Sequence, residues 1–143
     1  MQLTIHTDYA LRLLIYLSVH SNETKPTIQD AANKYGISAN HLAKVAQTLV
    51  LHGYVLSHRG RGGGLELAMA TNEINVGTVV RQTENLELLE CFGKGCECPI
   101  EPICLLYRAL DKAQQAFLEV LDKYTLADLI KNKTRLRQVL KVG

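Results

Sequence analysis

Residues 26–53, PTIQDAANKYGISANHLAKVAQTLVLHG, decide the fold of this chain because they contain two helical patterns separated by a glycine. Each pattern repeats apolar residues three and four positions apart, the spacing that gives a helix one buried face. The first comprises Ile28, Ala31, Ala32 and Tyr35, and the second Leu42, Val45, Ala46 and Leu49. Thr27 and Ser38 are suitable N-caps, and Gly36 and Gly53 are suitable ends. Two short helices joined by such a turn predict a helix-turn-helix.

The second of these helices also has a polar face that is suited to DNA. Its side chains can donate to phosphates or to base edges, and they begin at the helix N-terminus, which enters the major groove in this motif. A solvated face would explain any one of them, so the arrangement as a whole carries the prediction. We predict DNA contacts from Ser38, Asn40, His41 and Lys44.

A glycine-rich segment with two arginines follows between two short strands. The strand patterns cover Tyr54–His58 and Leu65–Ala68, and the segment between them is Arg59–Gly64. Two residues would suffice to close a hairpin, so the longer tip indicates the wing of a winged helix. Arg59 and Arg61 are then expected at the minor groove or at phosphates. A nucleotide phosphate loop is a poor alternative because the Gly-Lys-Ser/Thr ending is missing.

Further helical patterns lie on both sides of this unit. We expect a helix over residues 8–20 with Thr7 or Asp8 as its N-cap, and another after Asn75. From Ile103 to Tyr124 apolar residues alternate three and four apart, a repeat that keeps one seam against a partner helix. A core helix would also be amphipathic, but the length of the repeat favours a dimerisation helix. The basic tail, residues 131–141, is expected to be solvated.

These patterns predict a mainly α fold with a small β-wing, that is, a winged helix-turn-helix followed by a long dimerisation helix. Residues 1–84 would form the DNA-binding region and residues 85–104 a cysteine-rich loop. Residues 103–143 would contain the dimerisation helix and the C-terminal tail.

All cysteines of the chain lie in that loop, at Cys91, Cys96, Cys98 and Cys104. Disulfides are the weakest explanation, because no leader pattern indicates an oxidising compartment. Structural zinc usually takes paired cysteines from two separate knuckles, and here there is a single segment. A loop with glycine and proline that offers several thiolates before a helix favours an iron-sulfur cluster. The spacing leaves zinc, and cysteines that bind nothing, as alternatives.

The composition is that of an ordinary globular protein. Of the 143 residues 47% are hydrophobic and 21% charged, with a net charge of +2, so charge argues neither for nor against nucleic acid. No apolar run has the length of a membrane span, and we expect a cytoplasmic protein. The histidines are scattered and form no set with a nucleophile, so we do not expect an enzyme.

The chain resembles the Rrf-type winged-helix regulators, and among them the branch that senses nitric oxide. The resemblance covers nearly the whole chain, and the joint order of its motifs is specific. The matching segments are Leu3-Thr4, Thr7–Arg12, Tyr35–Ser38, His41-Leu42, the glycines and arginine of the wing, the cysteine loop and Tyr124–Leu129.

The resemblance implies a homodimeric repressor that binds a palindromic DNA operator and holds one iron-sulfur cluster per subunit. Three cysteines would ligate it, which fits Cys91, Cys98 and Cys104, with Cys96 as the alternative middle ligand. Asp8 of the other subunit would be the fourth ligand. A 4Fe-4S cluster is favoured over 2Fe-2S, and its damage by nitric oxide would release the operator.

Two alternative functions remain open. The cluster-assembly regulators of the family place a histidine ligand three residues after the last cysteine, where this chain has Tyr107. A redox or iron-sulfur-status sensor of the same family is one alternative. A zinc-stabilised interaction module is another.

Overall fold

The structure is a computed structural model that describes residues 1–20 and 23–142, most of them in helices. One antiparallel pair of strands accompanies the helices. In chain order the elements are α1 (Ile5–Val19), α2 (Ile28–Tyr35), α3 (Ala39–Leu51), β1 (Val55–His58), β2 (Gly64–Leu67), α4 (Val76–Thr83), α5 (Leu105–Leu121), α6 (Leu126–Leu129) and α7 (Lys133–Leu140). The prediction of a mainly α fold with a small wing is confirmed.

Helices α1, α2 and α3 form the core of the helix-turn-helix. Their buried stripes meet each other, and the predicted Ile28 and Tyr35 are only partly buried against them. The buried residues are Ala10, Leu13 and Leu14 of α1, Ala31 and Ala32 of α2, and Leu42, Val45, Ala46 and Leu49 of α3. Burial of such side chains supplies most of the stability of a small helical unit. The core therefore fixes how the polar face of α3 is presented to solvent.

Local capping explains where α2 and α3 begin. The Thr27 hydroxyl accepts a bond of 3.1 Å from the backbone of Asp30, whose carboxylate accepts one of 2.8 Å from the backbone of Thr27. This capping box satisfies two N–H groups that a helix start leaves unpaired. Ser38 accepts from the backbone N of His41 at 3.2 Å, and Gly36 has the left-handed conformation (φ +64°) that ends α2.

The wing is a short hairpin. Strands β1 and β2 pair antiparallel from Val55 opposite Leu67 to His58 opposite Gly64, so the predicted Ala68 lies beyond the second strand. Gly64 passes so close to the preceding chain that a Cβ there would lie 2.7 Å from the carbonyl oxygens of Lys25 and Pro26. A glycine is therefore required where the wing meets the start of α2.

Helix α1 begins one turn earlier than the sequence pattern suggested. Its N-cap is Thr4, whose hydroxyl accepts from the backbone N of Thr7 at 3.4 Å. Thr7 is fully buried and Asp8 lies in the first turn. The prediction of Thr7 or Asp8 as the N-cap was wrong.

The C-terminal end of the long helix α5 is joined to α4 by an ion pair. Arg81 donates to both carboxylate oxygens of Asp122, at 2.5 and 2.8 Å. Leu118 is the buried residue of α5. Ile103 and Tyr124, the ends of the predicted apolar repeat, lie outside the helix. No helix in the described ranges is long and apolar enough to cross a membrane.

The basic tail packs against the molecule. It forms α7, in which Arg137 donates to the carbonyl oxygen of Val19 at 2.7 Å and Leu140 packs against the core. The expectation of a solvated helix end is confirmed for most of its side chains, which are exposed, but not for Arg137 and Leu140. The physical reason is that the C-terminal end of α1 leaves carbonyl oxygens without helical partners, and a cationic side chain is well suited to them.

Candidate metal centre and nucleic-acid interface

The cysteines lie on a loop that connects α4 to α5. Cys91 is in a single 3-10 turn, Glu90–Phe92, and Cys96 and Cys98 follow in the irregular part of the loop. Cys104 is the N-cap of α5. All four are free thiols and all are partly exposed. A second 3-10 turn, Glu101–Ile103, precedes the helix, and Pro99 and Pro102 stop a regular helix from forming earlier.

The thiols are close enough to affect each other's ionisation. The pKa of Cys91 is raised to about 11, first by a hydrogen bond with Cys96, then by desolvation and by the nearby Cys96, Cys98 and Cys104. Like charges at short distance disfavour ionisation, and a cation relieves that cost. Cys91, Cys96 and Cys98 also line one concavity of ≈ 770 Å³. By the chemistry of their donor atoms these thiols suit a thiophilic metal or an iron-sulfur cluster.

Cys104 caps the start of α5. Its Sγ accepts a hydrogen bond from the backbone N of Tyr107 at 3.3 Å, at the positive end of a 17-residue helix. The last cysteine of the loop is thus held at the first turn of the helix by a backbone contact.

Two contacts fix the loop to α5. The rings of Phe92 and Tyr107 lie with their centroids 4.6 Å apart and inclined by 34°. The side-chain amide of Gln114 donates to the carbonyl oxygen of Leu86. The first contact joins the neighbour of Cys91 to the first turn of α5, and the second joins the segment before the cysteines to the middle of that helix, so the loop is held without a metal.

Asp8 is not brought to the cysteines within one subunit. Its carboxylate accepts from Arg12 Nε at 2.9 Å, and both side chains are nearly half exposed. It is absent from the lining of the cysteine concavity. Among the described residues, no group of three or more His, Cys, Asp and Glu side chains is arranged to hold a metal.

The predicted DNA contacts form an exposed surface. Ser38, Asn40 and Lys44 are exposed on α3, and Arg59 and Arg61 are exposed on the wing. His41 differs, since it is half-buried with its ring centroid 5.0 Å from that of Tyr9.

The start of α1 contacts the polar side of α3, which the sequence patterns did not reveal. His6 Nε2 lies 3.1 Å from Thr48 Oγ1, and the rings of His6 and His41 are 6.2 Å apart. Any displacement of the first turn of α1 would therefore change its contacts with α3, the helix that is expected to read DNA.

Glu84, at the C-terminal end of α4, was also missed. Its carboxylate accepts from the backbone N of Thr4 at 2.8 Å and from the Thr4 hydroxyl at 3.1 Å. Partial burial raises the pKa of Glu84, but these bonds and those from Thr7 and Asn85 outweigh it, so the pKa lies below its usual value. No local signal predicts a contact across 80 residues.

Comparison with known proteins agrees with this architecture. The family model described as "Rrf2: Iron-dependent Transcriptional regulator" matches residues 3–132. The chain belongs to the Rrf2 family. Rrf2 proteins are DNA-binding transcriptional regulators, so the chain is not an enzyme, as the sequence indicated.

Relatives of high identity in this family carry one name. The HTH-type transcriptional regulator NsrR of Geobacillus kaustophilus is 49% identical over 99% of this chain and 97% of its own length. The NsrR of Bacillus subtilis is 46% identical over 99% of both chains. The resemblance to Rrf2 regulators of the NsrR type that the motifs indicated is thereby confirmed.

Solved Rrf2 structures confirm the fold. The IscR of T. potens superposes with a TM-score of 0.74 at 26% identity, covering 92% of this chain and 88% of that one. CymR of Staphylococcus aureus superposes with a TM-score of 0.70 at 25% identity, covering 90% and 97%. The winged helix and the helix after it are thus shared by regulators of one family.

Proposed function

We propose that this Rrf2 protein is a repressor that holds an iron-sulfur cluster on its cysteine loop and releases its operator when nitric oxide damages the cluster. The observation that carries the proposal is that all four free thiols lie on one short loop, with Cys91, Cys96 and Cys98 lining one concavity and Cys104 at the start of α5. The NsrR name of the relatives at 46–49% identity supports it. The protein would act in the cytoplasm, where thiols stay reduced.

The ligand set would comprise Cys91, Cys98 and Cys104, with Cys96 as the alternative to Cys98. Cys104 is supported by its helix N-cap position, and Cys91 by the concavity that it lines together with Cys96 and Cys98. When bound, the cluster, which we expect to be 4Fe-4S, would supply an iron that a diatomic gas can attack. Asp8 of the other subunit would hold that iron less firmly than a thiolate, because a carboxylate is a hard donor.

Helix α1 would couple this site to DNA. Asp8 lies in its first turn, and one residue earlier in that turn Thr7 is buried in the core. His6, in the same turn, contacts Thr48 on α3. Release of Asp8 would therefore loosen a turn that is packed against the reading helix.

The dimer would form along α5. Leu106 and Val120 on the predicted seam are 60% and 51% exposed, and Leu105 beside them is 75% exposed. A stripe of large apolar side chains on one helix face is costly to leave in water and marks an interface. A second copy covering this stripe would also bring two reading helices to the half-sites of a palindromic operator.

The division of labour along the chain would follow these contacts. We assign DNA reading to residues 1–84, cluster binding to residues 85–104 and dimerisation to residues 103–143. DNA contacts would come from Ser38, Asn40, His41 and Lys44 on α3 and from Arg59 and Arg61 on the wing.

The test is purification without oxygen, followed by iron and sulfide analysis, a visible absorbance spectrum and binding to a palindromic duplex before and after addition of nitric oxide. We expect a coloured dimer whose affinity for the duplex falls when the cluster is destroyed. Affinity should also decrease with salt, because cationic side chains displace counterions from phosphates.

A colourless protein with stoichiometric zinc would contradict the proposal and favour a zinc-stabilised interaction module. A cluster that is insensitive to nitric oxide, but whose loss or oxidation changes DNA affinity, would favour a redox or iron-sulfur-status sensor.

A further inference from the structure

We propose that Phe92 and Tyr107 form an aromatic clasp that sets the separation of the first and last cysteines of the loop, Cys91 and Cys104. The inference rests on the proposed function, since it assigns a positioning role beside the cluster ligands. Phe92 directly follows Cys91, and Tyr107 lies in the first turn of the helix that Cys104 caps. The clasp is defined as these two rings.

The geometry of the rings is that of a favourable aromatic pair. Their centroids are 4.6 Å apart and the planes are inclined by 34°, within the range in which aromatic side chains attract each other. The backbone N of the same Tyr107 donates to Cys104 Sγ at 3.3 Å. One residue therefore contacts the last cysteine through its backbone and the neighbour of the first cysteine through its ring.

Packing of the protein core does not account for this pair. Both rings are only partly buried, and in the part of the chain that the structure describes neither belongs to the core cluster around α1, α2 and α3. Between them the loop contains Gly93, Gly95 and two prolines and has little regular structure. Such a segment has many conformations unless a contact across it selects one.

The clasp has a consequence for cluster retention. If the clasp holds Cys91 and Cys104 together in the protein without metal, the loop is already ordered when the cluster binds. Cluster binding then loses less conformational entropy. Removing either ring should then weaken retention of the cluster, whereas the winged helix should keep its stability and its shape.

The first experiment uses the metal-free protein. Alkylation of Cys91 by iodoacetamide is followed by mass spectrometry in the wild type, in Phe92→Leu, in Tyr107→Leu and in Tyr107→Phe, which keeps the ring. We expect Cys91 to react faster in both leucine variants and at the wild-type rate in Tyr107→Phe. Arg108→Ala, an exposed change on the same helix turn, is the matched control.

The second experiment uses the cluster-loaded dimer and measures the rate of iron release to a ferrous chelator. We expect release to be about three- to tenfold faster in either leucine variant, the factor that corresponds to the attraction of an aromatic pair. Since both substitutions break one contact, the double variant should release iron no faster than the single ones. Thermal unfolding and circular dichroism of the metal-free variants should match the wild type.

Wild-type rates of alkylation or of iron release in Tyr107→Leu would overturn the clasp, as would additive effects in the double variant. A wild-type protein that binds no cluster would instead contradict the proposed function. The two failures are distinct because the alkylation experiment requires no cluster.

Discussion

Glu84 and Thr4 are joined by two hydrogen bonds, from the backbone N and the hydroxyl of Thr4 to one carboxylate oxygen, at 2.8 and 3.1 Å. Glu84 ends α4 and begins the segment that leads to the cysteines, and Thr4 caps α1. The contact therefore connects the base of the cysteine loop to the helix that carries Asp8.

Glu84→Gln should destabilise the protein by about 1 kcal/mol at neutral pH, because a charged acceptor is lost from the start of α1. The pKa of Glu84 is lower in the folded protein than its usual 4.5, so the carboxylate contributes stability above that pH. This contribution should disappear as the pH falls through the folded-state pKa. Urea unfolding at pH 7 and at acidic pH measures both effects.

The matched control for Glu84 is Glu119→Gln, an exposed change on α5. It should leave the free energy of unfolding unchanged within a few tenths of a kcal/mol. Equal stability of Glu84→Gln and the wild type at pH 7 would mean that the bonds to Thr4 do not hold α1.

Asp8→Ala should leave a cluster that forms but responds abnormally to nitric oxide. Within the subunit Asp8 pairs with Arg12 at 2.9 Å, an exposed ion pair of the i, i+4 type worth about 0.3–0.5 kcal/mol. Arg12→Gln removes the same ion pair and keeps the carboxylate. In stopped-flow absorbance measurements with nitric oxide, Asp8→Ala should therefore react with different kinetics from Arg12→Gln. Equal kinetics in the two variants would mean that Asp8 acts only as the ion-pair partner of Arg12.

Cys91→Ser and Cys104→Ser should each abolish the cluster, since both thiols belong to the expected ligand set. Cys98→Ser and Cys96→Ser decide the middle ligand, and we expect loss of the cluster in the first and retention in the second. Iron and sulfide content after anaerobic reconstitution gives the answer. Cys96 is the thiol that acts most strongly on Cys91. Retention of the cluster in Cys98→Ser and its loss in Cys96→Ser would therefore assign Cys96 as the middle ligand.

Arg59→Ala should weaken binding to the operator and leave the cluster spectrum intact, because the side chain is exposed on the wing. If it contacts a phosphate, the slope of log affinity against log salt should decrease by about 1. Arg135→Ala, exposed on α7, is the control. Equal affinity of Arg59→Ala and the wild type would show that the wing does not contribute to binding.

Leu106→Glu and Val120→Glu should each yield a monomer, since a charge on the seam of α5 cannot be desolvated against a second copy. Sedimentation velocity measures this directly. Val139→Glu is matched in type and is 71% exposed on α7, outside the seam, and should stay dimeric. Dimers of all three variants would place the interface elsewhere.

Prediction from the sequence was accurate where the interactions are local. The N-caps Thr27, Ser38 and Asn75 are all confirmed. It placed the start of α1 one turn too late, although Thr4 caps this helix through a local bond from the backbone N of Thr7. The sequence also did not predict the contact of α7 with α1, because Arg137 donates to the carbonyl oxygen of Val19, 118 residues earlier in the chain.

The sequence by itself determined the helices with their caps, the glycine-rich wing and the grouping of all four cysteines on one segment, since each depends on residues within a few positions of each other. The tertiary structure decided which distant groups meet, as Glu84 meets Thr4, His6 meets Thr48 and Phe92 meets Tyr107. Hydrophobic periodicity specifies that a face is buried and does not name the surface that buries it. Contacts beside that surface are fixed only when the elements pack.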